Sequence, residues 1–252
     1  MKNIAIAIVL FITIGHIHAQ GNYTQSLQGV KNVVIGSESG VKIKAHDKNE
    51  LLIIGNGRKM PEKARGLKAV YAGGSDNTGF GVYAQKEGGT LIVRNLKNMH
   101  SKILEVFLPK NINVKVERSN LGDLVVHGFS SEIEATTNVG DMTFRDVTGP
   151  IVAKTATGEI NIIFDKVSQI SPISLISATG TIDVSLPSGT PANLEMKTTM
   201  GEIFTDFELK LPVNNNNMKV VGGRRTIKTQ LNNGGVEISL RSSTGNIYLR
   251  KQ

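Results

Sequence analysis

The chain has 252 residues, a formal net charge of +8, no cysteine and no tryptophan. Without cysteine there is no disulfide framework and no thiolate site, so packing and backbone pairing must hold the fold, and a chain of this length can bury a substantial single core. The basic residues are scattered, densest in "GGRR" and "LRKQ", with no aromatics interleaved. This argues for a solvated basic surface and against nucleic acid, with unspecific attraction to acidic glycans or lipid A-like surfaces as the other reading.

At the N-terminus Lys2 precedes an apolar run from Ile4 to Ile14, then Gly15 and a short stretch ending in Ala19. The run is short for a bilayer span and has the flanks of a cleaved secretory signal, residues 1–19, cut between Ala19 and Gln20. That predicts an exported chain, in the periplasm, at the cell surface or outside the cell. No other segment is apolar for long enough to span a membrane, so the cleaved chain is expected not to cross one.

Residues 20–110 read as an irregular, strand-rich beginning. Short runs such as "VVIGSESGVKIKAH", "LLIIG", "GTLIVRNL" and "KILEVFLP" alternate apolar with polar residues and stop at Gly, Asn, Asp or Pro, as strands do. The stretch "GRKMPEKARGLKAV" is interrupted by Pro61 and Gly66 and predicts a loop with at most one helical turn. "YAGGSDNTGFGVYAQKEGG" has the composition of a phosphate loop, but no lysine and helix follow it, so it reads as a mobile surface loop.

From residue 111 to 252 the runs fall into register on glycine: "SNLGDLVV", "TNVGDMTF", "TATGEINI", "SATGTIDV", "TTMGEIFT" and "SSTGNIYL". The glycines are Gly122, Gly140, Gly158, Gly180, Gly201 and Gly245, spaced by 18, 18, 22, 21 and 44 residues. The long last interval predicts an insertion near 212–223. Apolar residues stand two and four places after each glycine, and seven and five places before it; only the first repeat is out of step, with Lys115 and Glu117 there. Alternation sends these side chains inward. The pattern predicts an all-β, single-stranded, right-handed parallel β-solenoid with about 18–22 residues per coil, each glycine marking a corner that needs positive φ. A β-sandwich is the alternative.

Three residues before each glycine a hydroxyl recurs (Ser119, Thr137, Thr155, Ser177, Thr198, Ser242), placed to hydrogen-bond a corner amide. Charges flank the corner: Arg118, Lys154, Lys197 and Arg241 before it, Asp123, Asp141, Glu159 and Glu202 after it. They predict an exposed ladder in which Arg118 pairs with Asp123, Lys154 with Glu159 and Lys197 with Glu202. Stacked Asp123, Asp141 and Glu159 also raise a hard-cation site or a glycosidase-type carboxylate pair. Neither fits well: calcium solenoids are denser in Asp, and the few tyrosines, such as Tyr71, Tyr83 and Tyr248, look dispersed rather than gathered into a sugar cleft. His46, His100 and His127 are not at metal-ligand spacing. No metal, cofactor or catalytic residue is assigned.

The phrases "TTNVGDMTF", "KTATGEINI", "SATGTIDVSLP" and "NNGGVEISLRSSTGNIYLRKQ", preceded by "ILEVFLPKNINVKVERSNLGDL", resemble the bacterial "putative adhesin" family of secreted β-strand-repeat proteins, a domain of unknown function. The resemblance spans residues 30–252. It implies a right-handed parallel β-solenoid exported beyond the inner membrane, with no catalytic motif to carry over. The expected function is a non-enzymatic extracytoplasmic scaffold, an adhesin or surface binder whose partner is a glycan or an envelope protein. Two alternatives stand beside it: a carbohydrate-active solenoid enzyme acting on envelope or extracellular polysaccharide, and an envelope accessory protein linked to a signalling system.

Overall fold

The computed structural model describes residues 21–54, 61–67, 70–97, 103–210 and 225–252. The predicted signal segment with its Ala19–Gln20 cut, the predicted insertion at 212–223 and His100 lie outside them.

Alternating runs of Val, Ile and Leu make strands, and eight times a strand, a corner and a second strand form one rung. In chain order these are rung 1 (Asn32–Gly36, Val41–His46), rung 2 (Thr90–Asn95, Leu104–Pro109), rung 3 (Asn113–Leu121, Leu124–His127) and rung 4 (Ile133–Val139, Met142–Val147). Rung 5 (Ile151–Thr157, Ile160–Phe164), rung 6 (Ile173–Thr179, Ile182–Leu186), rung 7 (Ala192–Thr198, Ile203–Thr205) and rung 8 (Val236–Ser242, Ile247–Lys251) follow. First strands join in one ten-stranded sheet, here sheet I, and second strands in another, sheet II. Neighbouring rungs pair in parallel, as in Ile133↔Ile151 and Met142↔Ile160. A sandwich of antiparallel hairpins is therefore not the arrangement.

The stack does not follow the chain. In both sheets the order is rung 2, 1, 3, 4, 5, 6, 8, 7. Rung 1 lies between rungs 2 and 3, while the C-terminal rung 8 lies between rungs 6 and 7, pairing Ile182↔Ile247 on one side and Ile203↔Ile247 on the other. The interval of 44 residues between Gly201 and Gly245 thus contains a return along the stack. Among the described residues, antiparallel strands close three of the four sheet ends. Glu50–Ile54 and then Asn22–Ser26 close sheet II beyond rung 2, Val82–Glu87 closes sheet I there, and Arg225–Leu231 closes sheet I beyond rung 7. Sheet II ends beyond rung 8 in the three-residue strand of rung 7.

The core lies between the sheets. Ile133, Ile151, Ile173 and Ile238 line it from sheet I, and Ile160, Ile182 and Ile247 from sheet II, none more than 1% exposed. Each such side chain stabilises the fold by roughly 1.5–3 kcal/mol relative to exposure. Rung 3 explains why Lys115 and Glu117 stand out of step with the other repeats. Val114 and Val116 are buried instead, because a register shift between Val116 and Ser119 absorbs the extra residue.

At the corner the glycines form a column, and the stack constrains them more than the turn does. A Cβ on Gly140 would lie 2.3 Å from the Gly122 carbonyl oxygen, and one on Gly245, whose φ is not positive, 2.0 Å from that of Gly180. Gly40 of rung 1 belongs to the same column: a Cβ on Gly122 would meet its amide nitrogen at 2.4 Å. The hydroxyls beside the corner are buried. Thr198 Oγ1 accepts from the Gly201 amide and donates to the Gly245 carbonyl, both at 3.0 Å. Ser242 Oγ does the same with the Gly245 amide and the Gly180 carbonyl.

In the described part of "GRKMPEKARG", residues 61–66, there is a 3-10 turn, Glu62–Ala64. The glycine-rich stretch is tied down by Asp76. One carboxylate oxygen accepts from the amides of Thr78 and Gly79 and the Thr78 hydroxyl, and the other accepts from the Gly81 amide. Asn77 adds bonds to the Ala84 amide and carbonyl. Burial alone would push the Asp76 carboxyl up, but the hydrogen bonds from Gly81, Thr78 and Gly79 outweigh it and hold the group below its ordinary value.

Candidate functional site

Two of the four acidic residues after the corner glycines, Asp123 and Asp141, are structural acceptors. Asp123 Oδ1 takes the Asp141 amide at 3.0 Å, and Asp141 Oδ1 takes the Glu159 amide at 2.8 Å. Each carboxylate thereby caps the next rung. Asn246 does the same for the Glu202 amide at 2.9 Å. Among the described residues no group of three or more His, Cys, Asp or Glu is placed to hold a metal ion, and no salt bridge joins Lys154 to Glu159. The Arg118 side chain lies outside the described residues. Lys154, Arg241 and Lys197 share an outward lane of sheet I, each in register with a neighbouring rung, and Arg241 bonds Glu195 at 3.3 Å. His46 Nε2 bonds the Glu50 carbonyl, and His127 Nε2 lies 2.7 Å from Asp146 Oδ2. None of these groups converges on a common point.

Convergence occurs instead on the outer face of sheet II, at the end that no antiparallel strand closes among the described residues. Register sets Asp183, Tyr248 and Phe204 side by side on rungs 6, 8 and 7, with Ser185 beside Arg250 in the next lane. The Tyr248 and Phe204 rings stack, centroids 5.2 Å apart and planes 12° from parallel. Phe204 is 44% exposed, because it stands on the last strand and no further rung covers it. Tyr248 is fixed from several sides. Asn246 Nδ2 donates to its hydroxyl at 3.1 Å, and the Arg250 guanidinium lies 5.2 Å from its ring centroid. Asp183 in turn holds that guanidinium in a bidentate pair at 2.8–3.0 Å, and these bonds raise the Arg250 pKa further above its ordinary value.

A depression of about 220 Å³ opens over Phe204, Thr205, Asp206, Tyr248 and Arg250. Beside it lies a larger one of about 490 Å³, in which Lys251 sits 5.5 Å from the Phe207 ring and Lys210, Gln230 and Asn233 add polar groups. The two meet where Asp206 Oδ1 accepts the Lys251 amide at 2.8 Å. Chemically this is a pre-positioned ring flanked by amides and charges. A flat, partly apolar ring can continue the Tyr248–Phe204 ladder while its hydroxyls meet the polar rim.

Sequence reading took the tyrosines as dispersed and passed over Phe204. The signal was nevertheless present, since Phe204 and Tyr248 both stand three places after a corner glycine, as does Asp183. What it lacked was the return of rung 8 to a place beside rung 7.

A family model described as Toastrack DUF4097 matches residues 110–250. No curated protein matches the chain. Among solved structures, one described as a putative cell adhesion protein from Clostridium sporogenes aligns with a TM-score of 0.46 and 10% identity, covering 92% of this chain and 99% of that one. Another, described as a putative adhesin from Bacteroides fragilis, aligns with a TM-score of 0.41 and 10% identity over 92% of this chain and 96% of that one.

Proposed function

The chain belongs to the Toastrack DUF4097 family, and on that premise we propose that it is a non-enzymatic, extracytoplasmic binding scaffold that holds glycan on the open end of sheet II. The observation that carries this reading is the Tyr248–Phe204 stack, exposed, braced by Arg250 and Asp183, and bordered by two polar depressions. Rigid aromatics lose little conformational freedom on binding, and sugar rings offer C–H faces to them and hydroxyls to a polar rim. The acidic side chains that might have served hydrolysis, Asp123 and Asp141, are committed to backbone amides. That supports binding without turnover.

Export fits the apolar run ahead of Ala19. N-terminal sequencing of the secreted protein is expected to begin at Gln20. The winding is proposed to be right-handed with 18–22 residues per coil in the regular rungs, since parallel strands joined by crossovers adopt that hand almost without exception. Among the described residues no helix is long and apolar enough to cross a membrane.

A glycan array probed with the purified protein tests the function. At least one oligosaccharide is expected to bind saturably, and truncation at Tyr248→Ala or Phe204→Ala is expected to weaken it about tenfold or more, corresponding to the roughly 1.4 kcal/mol or more of a lost stacking contact. Binding that survives both truncations, or an array with no saturable ligand, would remove the platform from this role.

A further inference from the structure

Sheet I carries a second concavity, near the other end of the stack. Asn32 of rung 1 and Asn113 of rung 3 stand in register, and Asn113 Nδ2 donates to Asn32 Oδ1 at 3.2 Å. Two positions along, Val34 faces out beside Lys115. Lys115 leans to Glu134 of rung 4 at 3.4 Å and to Glu117 at 3.5 Å. The short valine between an amide pair and a long ion pair leaves a depression of about 280 Å³ that reaches Thr90 and Glu132. Through Asn113 it adjoins a second depression, of about 350 Å³, where Lys31, Asn49 and Asn111 lie.

The chemistry of this trough is that of a neutral, hydroxyl-rich ligand. Each asparagine amide has two N–H donors and a carbonyl with two acceptor sites, and one contact between Asn113 and Asn32 uses only part of that capacity. The N–H and C=O of a single side-chain amide lie side by side and suit a pair of vicinal hydroxyls. The charge of Lys115 is answered by two carboxylates, so the trough has little to attract an anion. Val34 supplies an apolar floor for a C–H face.

We propose that this trough is a second neutral-glycan subsite, on the opposite sheet and toward the opposite end from the Tyr248–Phe204 platform. The proposal takes its ligand class from the reading above. Four to six rung spacings separate the two, roughly 20–30 Å along the stack. With the sites also on different faces, one molecule engages two sugar chains and bridges them.

Isotope-labelled purified protein, titrated with maltohexaose, cellohexaose and chitohexaose while the side-chain amide signals of Asn32 and Asn113 and the ring signals of Tyr248 are followed, tests this. Saturable shifts of the asparagine signals are expected with at least one hexaose. They persist in Tyr248→Ala. In the double variant Asn32→Ala, Asn113→Ala the affinity read at the trough, from the Asn111 and Thr90 signals, falls about tenfold or more, while the Tyr248 shifts remain. Asparagine signals that stay still with all three sugars, or that move only with hexagalacturonate, overturn the neutral subsite. Loss of the asparagine shifts in Tyr248→Ala overturns independence and leaves the platform standing. Asparagine shifts with a silent Tyr248 leave the trough standing and remove the platform.

Discussion

The two ends of the stack are built on one plan and finished differently. At each, the rung nearest the chain terminus is tucked one place inside the stack, rung 1 behind rung 2 and rung 8 behind rung 7. At the rung 2 end, antiparallel strands close both sheets; at the rung 7 end, only sheet I is closed. Charged or polar strands at sheet ends discourage unwanted pairing, and Arg225–Leu231 and Val82–Glu87 carry such residues. Where that covering stops, the protein shows a three-residue strand bearing an exposed phenylalanine. Among the described residues the difference separates an end covered on both sheets from one that leaves a short aromatic-bearing strand at its edge, the edge proposed for contact.

The largest expected effect tests how far rung 8 holds the open end together. Ile247 is fully buried between rungs 6 and 7, so Ile247→Ala is expected to cost about 2–5 kcal/mol, read from denaturant unfolding. Ile43 of rung 1 is equally buried between rungs 2 and 3, and Ile43→Ala should cost a similar amount. A much smaller loss at either end would mean that its tucked rung is not integral to the stack.

The glycine column sharpens the contrast. A Cβ at Gly245 meets the Gly180 carbonyl at 2.0 Å, while one at Gly40 meets the Asp123 carbonyl at 3.0 Å. Backbone cannot give way as a side chain can, so Gly245→Ala is expected to cost about 3 kcal/mol and Gly40→Ala about 1 kcal/mol. Equal losses would show that spacing between rungs does not set the requirement.

Hydroxyl removal comes next. In Thr198→Val the Gly201 amide and the Gly245 carbonyl lose their partner in a fully buried site, with an expected loss of about 1–3 kcal/mol. Ser37 Oγ of rung 1 accepts from the Ser39 amide and from Asn95 Nδ2, and Asn95 keeps its bond to Ser39 Oγ without it, so Ser37→Ala removes the partner of one backbone group rather than two and should cost less, about 1 kcal/mol.

The smallest effect depends on pH. The Asp76 carboxyl is held below its ordinary value, so the folded state binds its proton less readily than the unfolded chain does. Its contribution is therefore fully present above the unfolded value, about 4, and is lost as pH falls through the lower folded value. Wild type should be more stable than Asp76→Asn at neutral pH, with the gap closing below about pH 4. A gap that is constant from neutral to acid pH would show that the carboxylate's charge does not matter to the loop.

Much of this was legible in advance at the level of single rungs. Alternating Val and Ile, the recurring glycine and the hydroxyl three places before it are local signals, and each reports a local requirement. Gly40 was missed although "SESGVKI" has Ser37 and Gly40 at the same offset. Its stack neighbour, Gly122, is 82 residues away, with rung 2 and two closing strands in between. The acids after the glycines were read as surface charges seeking lysines. Asp123 and Asp141 also accept from amides of the next rung, partners that leave no trace in residue type because nearly every residue has one.

The amino-acid sequence by itself determined which residues face inward, where the corners fall and why no Cβ fits there, since these follow from strand periodicity and from backbone stacking at a fixed spacing. The order of the rungs was decided only in three dimensions, because parallel rungs of the same pattern can dock on either neighbour and nothing in the repeat specifies which. That choice brought Phe204 against Tyr248 across 44 residues of chain, and with it the surface proposed for binding.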